Sequence, residues 1–242
     1  MAITRSNSTN TQRAYPGPSG PSASRPRRRR IALAAVAALA ALTPLACSAN
    51  QSPAASSPSS PSSPPSSASK APALQLKGEG TLAAPSANGT AITYDESLAP
   101  VGAKLTTSMV PAGNATEVKF TVSGLTPNRG YAVHAHTKAC GADAKAAGPH
   151  YQNRIDPAAT PDKPSSDPAY ANRTNEIWLD LTTDAKGSAQ TATTVPFTFT
   201  KREPASIVVH KDMVTNTEPG KAGTAGDRIA CLTLPKGTPA NS

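Results

Sequence analysis

The chain of 242 residues holds four histidines. His134 and His136 lie in Tyr131-Ala-Val-His-Ala-His, His150 in Ala147-Gly-Pro-His, and His210 in Ser206-Ile-Val-Val-His. Imidazole nitrogen is a preferred protein ligand of divalent copper, and four nitrogens suit its tetragonal geometry. The four rings therefore read as one copper site. Singly they say little. A His-x-His pair also occurs on solvated strand faces, and a lone histidine at a strand end is commonly a surface residue. The set, with no member to spare, carries the reading.

Such rings need stiff segments to aim them. From Leu74 onward the sequence turns to short runs of β-formers separated by turn residues. Strands are expected over Leu74–Leu82, Ala91–Asp95, Lys104–Val110, Glu117–Val122, Tyr131–Thr137, Glu176–Leu181, Ala189–Phe199, Ser206–His210 and Arg228–Leu234. On a strand, a spacing of two points His134 and His136 to one face. Gly148-Pro149 permits a sharp turn before His150, and Ile207-Val-Val carries His210 to a strand edge. No amphipathic helix stands out. The fold class expected is all-β, an antiparallel sandwich or flattened barrel with long loops. About 165 residues suffice for one core. The stretch 138–175 is rich in proline and alanine, and a loop of that length in a compact domain is commonly functional.

The N-terminus reads as an address. Residues 1–47 hold seven arginines and no acid, and Arg25 and Arg27–Arg30 precede the apolar run Ile31–Ala46. That is the pattern of a secretion signal. The run is shorter than the ~20 apolar residues that span a bilayer. Cys47, in Pro44-Leu-Ala-Cys, resembles a lipobox cysteine, which would anchor the chain to a membrane through lipid. Simple cleavage after Ala46 or Ala49 is the alternative. Residues 48–73, almost wholly Ser, Pro and Ala, read as a disordered, semi-stiff spacer before a domain over 74–242. Of the net charge of +9, the seven arginines of residues 1–47 supply all but two. Beyond them, 17 basic residues face 15 acidic ones, so no nucleic-acid partner is implied. With Cys47 set aside, Cys140 and Cys231 remain, and an exported chain pairs such cysteines unless both are buried as thiols.

Taken in order, His-Ala-His, Cys140, Gly148-Pro-His, Val208-Val-His and Gly226-Asp-Arg-Ile-Ala-Cys resemble the copper,zinc superoxide dismutase family. The resemblance runs from Leu74 to about Pro235. It implies a Greek-key β-barrel, superoxide as substrate, and a disulfide between Cys140 and Cys231. It also implies copper on His134, His136 and His210, with His150 as the ring that elsewhere bridges copper to zinc. Arg228 would be the cation beside the open copper position, its alternative being a surface ion pair with Asp227.

The chain departs from the family at zinc. That site needs two more histidines and an aspartate, yet no histidine lies between Tyr151 and Val209, and Ile177 falls about where the aspartate should be. Asp156, Asp162 and Asp167 could hold a hard cation, but carboxylates alone make a poor zinc site. The segment between His210 and Arg228 is also short for the family. This resembles the zinc-less, copper-only branch, found in extracellular proteins. Glu176 is the candidate to accept a hydrogen bond from His150 in place of zinc. The function expected is an extracytoplasmic copper-dependent superoxide dismutase, membrane-anchored through lipid or secreted. The alternative is a copper-holding protein of the same fold with little turnover. Oligomeric state is not fixed by the sequence.

Overall fold

The structure is a computed structural model that describes residues 71–240. The expected signal segment, Cys47 and most of the 48–73 spacer lie outside those residues.

Alternation builds the first sheet. In β4 (Ala115–Ser123), Thr116, Val118, Phe120 and Val122 are buried, while Glu117, Lys119 and Thr121 face solvent. This is the period-two signature of a strand with one wet face. β4 pairs along its length with β3 (Lys104–Ala112), and across its other edge with β8 (Ala189–Val195). β3 pairs with β1 (Leu74–Thr81), and β1 with the short β11 (Thr238–Pro239). The five-stranded antiparallel sheet runs β11-β1-β3-β4-β8.

The second sheet is different. It runs β2 (Ala91–Thr93), β10 (Arg228–Thr233), β9 (Ser206–His210), β6 (Val133–His136), again antiparallel. β9 and β6 are buried at every residue. Val133, Ala135, Ile207 and Val209 enter the main core with Phe120 and Leu105 of the other sheet. His134, His136 and His210 occupy the opposite face. That face is covered by loops, so β9 reads as an unbroken apolar run. The sheets form an open sandwich, with a two-stranded pair of β5 (Gly130–Tyr131) and β7 (Leu181–Thr182) beside it.

Several expected strands are shortened or divided: Ala91–Asp95 ends at Thr93, and Tyr131–Thr137 is split between β5 and β6. Ala189–Phe199 stops at Val195. Glu176–Leu181 is reduced to β7 and a bridge on the edge of β6, where Ala135 N donates to Ile177 O and Leu179 N to Val133 O. The same segment also bridges Gln152 of the long loop at Glu176. Ile177 and Leu179 face the core. Glu176, Trp178 and Asp180, alternating with them, therefore face the histidine side.

Candidate metal centre

His134 and His136 project from one face of β6, as period-two geometry requires. β9 lies beside β6, with His134 opposite Val208 and His136 opposite Ser206. His210, at the end of β9, is fixed by its N–H to Ala132 O at 2.8 Å. His150 arrives from the long loop. Thr137 N donates to Pro149 O at 3.0 Å and Tyr151 N to Ala135 O at 2.8 Å, which seats His150 opposite His136. Gly148 makes that approach possible. Its φ of 70° is left-handed, and a Cβ there would meet the Thr137 hydroxyl at 2.7 Å.

The four rings converge. Centroids of His134 and His150 lie 4.1 Å apart, and those of His136 and His210 5.5 Å apart. One nitrogen from each ring lies within 4.8 Å of one from every other. Among the described residues this is the group of side chains able to hold a metal ion. Asp156 and Asp167, considered above as hard-cation ligands, accept hydrogen bonds within their own loop, from Ala158 N and Ser165 Oγ and from Ala169 N.

Every ring has one nitrogen held. His136 Nδ1 lies 2.9 Å from Gly148 O, His210 Nδ1 3.3 Å from Gly226 O, and His150 Nδ1 2.8 Å from Glu176 Oε2. These three partners only accept, so each ring carries its proton on Nδ1 and turns a lone pair outward from Nε2. The lone pairs of His136 Nε2 and His210 Nε2 then face each other across 3.3 Å. A cation between them removes that repulsion. His134 is held instead through Nε2, 2.7 Å from Thr215 Oγ1. Its Nδ1 is buried without a partner, an orphan atom that a metal ion satisfies. The donor set and its geometry fit a metal that prefers imidazole.

Burial pushes the imidazoles of His134 and His136 well below their ordinary range, with the neighbouring rings adding to the shift. His210 is lowered to about 3, again chiefly by burial. Unfolded rings take up protons below about pH 6.5, while the native rings stay neutral. Protein stripped of metal by chelation is therefore fully stable above that pH and loses stability as the pH falls towards 3. Each ring contributes about 1.4 kcal/mol per pH unit. The melting temperature of chelated protein should fall steeply between pH 7 and pH 5, and a flat profile would contradict this electrostatic reading.

Glu176 is buried and accepts three hydrogen bonds. His150 Nδ1 and Trp178 Nε1 reach Oε2 at 2.8 and 2.7 Å, and Gln152 Nε2 reaches Oε1 at 2.8 Å. Arg228 pairs with His210 across β9 and β10, where a bulge interrupts the register before Ala230. Its guanidinium donates to Ala144 O at 2.9 Å and Gly148 O at 2.6 Å. The alternative ion pair with Asp227 is absent: Asp227 faces Lys211 at 3.9 Å. Burial lowers the Arg228 pKa somewhat, but guanidinium stays charged at any physiological pH. His150, His210 and Arg228 line a cavity of about 460 Å³ that also meets Ile155, Pro161 and Ala225. Cys140 and Cys231 form a disulfide. Thr215 and Asp180, which touch the site from outside, were not singled out in the sequence.

An antiparallel sandwich presenting four convergent imidazoles, a half-buried arginine and a nearby disulfide defines a metalloprotein of the superoxide dismutase class. The family model described as copper/zinc superoxide dismutase (SODC) matches residues 102–233, more than half of the chain, and the chain belongs to that family. No curated protein matches it.

Proposed function

We propose that this protein is an extracytoplasmic, copper-dependent superoxide dismutase that works without zinc, held at a membrane by lipid on Cys47 or secreted. The observation that carries the reading is the convergence of the four rings, each with one nitrogen held by a hydrogen-bond partner outside the cluster and the other turned towards its neighbours. His134, His136, His150 and His210 hold copper. Copper supplies one-electron cycling, by which one superoxide is oxidised to oxygen and a second, with two protons, is reduced to hydrogen peroxide. The chain's own task is to admit and orient the anion. Arg228 does this from the cavity wall, its charge aimed by two carbonyls and engaged in no ion pair among the described residues.

Metal analysis of the purified protein, followed by a superoxide decay assay on the copper-loaded form, tests the proposal. About one copper per chain, little zinc and fast decay support it. Copper without decay identifies a copper-holding protein instead.

Arg228→Ala should lower the second-order rate about tenfold or more at low ionic strength, since a focused positive field raises anion on-rates by at least that factor. The deficit should shrink as salt screens the field. A rate at low salt equal to wild type removes Arg228 from the mechanism.

Glu176 takes over the support that zinc gives the bridging ring in the family. Glu176→Gln places an amide N–H₂ where only acceptors now stand. Copper affinity should fall about tenfold, within the range seen when a partner of a ligating histidine is lost. Unaltered affinity and turnover would leave Glu176 as a packing residue.

A further inference from the structure

Three rings rest on groups that can only accept a hydrogen bond. His134 rests on the Thr215 hydroxyl, which can donate or accept. Were Thr215 to donate, the ring proton would sit on Nδ1, and that nitrogen could not ligate. The direction is decided one residue further out. Asp180 Oδ1 lies 2.7 Å from Thr215 Oγ1 and 3.3 Å from Val133 N. Asp180 Oδ2 lies 3.1 Å from Thr215 N and 3.2 Å from Arg173 Nη2. Two of these partners are backbone N–H groups and one is a guanidinium, all obligatory donors. The carboxylate accepts from all of them, so the single hydroxyl hydrogen of Thr215 points to Asp180. The remaining lone pair of Thr215 then accepts from His134 Nε2–H. Proton counting leaves Nδ1 bare, and it is the buried ring nitrogen with no partner.

We propose that Asp180 and Thr215 form a relay that holds His134 as its Nε2–H tautomer and so keeps Nδ1 free for the metal. The inference rests on His134 being a ligand, and it makes Asp180 and Thr215 positioning residues. Thr215 is buried and Asp180 nearly so, which protects the relay from water. Arg173 fixes the outer end, bonded to Asp180 and lying over the Trp178 ring at 5.4 Å. One segment thus carries both supports: Glu176 for His150 and Asp180, through Thr215, for His134.

The test reads the ring directly. Long-range ¹H–¹⁵N correlation spectra of ¹⁵N-histidine-labelled, metal-stripped protein report the His134 tautomer, and competition with a chromophoric Cu(I) chelator reports affinity. Wild type should show the proton on Nε2. Thr215→Ser, which keeps the hydroxyl, should match it in tautomer and affinity. Thr215→Val should shift the ring towards Nδ1–H and weaken copper binding about 10–100-fold. Wild type carrying the proton on Nδ1 overturns the relay. So does Thr215→Val with an unchanged tautomer, whatever its affinity, because any loss then comes from packing. Should Thr215→Val not fold, the wild-type tautomer and its response to Asp180→Asn decide. The spectra need no metal and no turnover, so failure of the relay is distinguishable from failure of the dismutase reading, which shows in the decay assay.

Discussion

His136→Ala should abolish tight copper binding and, with it, superoxide dismutation. His136 is fully buried on β6, and its Nε2 lies 3.3 Å from that of His210. Losing a partner of a ligating histidine costs about 10–100-fold, and losing a ligand itself should exceed that range. A second effect identifies the cause. His136 Nδ1 and Arg228 both bond to Gly148 O, so the variant also frees one side of the Arg228 cradle. The metal-stripped variant should show a shallower acid profile than metal-stripped wild type, because one fewer buried imidazole must be kept neutral. Copper titration, decay kinetics and melting between pH 7 and pH 5 measure the three effects. Retention of stoichiometric, nitrogen-coordinated copper by His136→Ala would remove this ring from the site.

Breaking the Cys140–Cys231 disulfide should cost about 4–5 kcal/mol of stability. The bond closes a loop over a sequence separation of 91, and the chain-entropy relation gives about 4.7 kcal/mol for a loop near 100 residues. Against the ~5–15 kcal/mol that holds a typical domain folded, that loss is severe. Function is coupled to it. Cys231 is fully buried on β10 beside Val208 and Ala147, while Cys140 lies just before the 3₁₀ turn Ala144–Ala147. Ala144 O and Gly148 O, at the two ends of that turn, hold the Arg228 guanidinium. Reduction therefore loosens the cation as well as the fold. Denaturant unfolding of oxidised and reduced protein, with a Cys140→Ala/Cys231→Ala variant as control, measures the energy. A difference below about 1 kcal/mol would contradict the entropic account.

Much of the site was legible because the chemistry sits in scarce residue types. Four histidines and two cysteines in the folded part leave few ways to combine them, and Arg228 is marked by the resemblance of Gly226-Asp-Arg-Ile-Ala-Cys to the family. Glu176 was also reachable, since the missing zinc ligands ask what supports His150 instead. The all-β class followed from runs of β-formers such as Glu117–Val122 set between turn residues. The limits are equally physical. The segment 176–180 alternates, but its alternation has two buried faces. No count of apolar residues distinguishes a full strand from a bridge on β6 and a two-residue pair.

Thr215 and Asp180 mark the boundary between the two kinds of knowledge. Threonine and aspartate are common, the two lie 35 positions apart, and neither is a metal ligand. Their importance arises only when the backbone brings a carboxylate, a hydroxyl and an imidazole into line at 2.7 Å steps. Residue type alone determined which atoms could bind a metal. The tertiary structure decided which nitrogen of each ring is bare, because a proton's position on imidazole is set by the neighbour that the fold supplies.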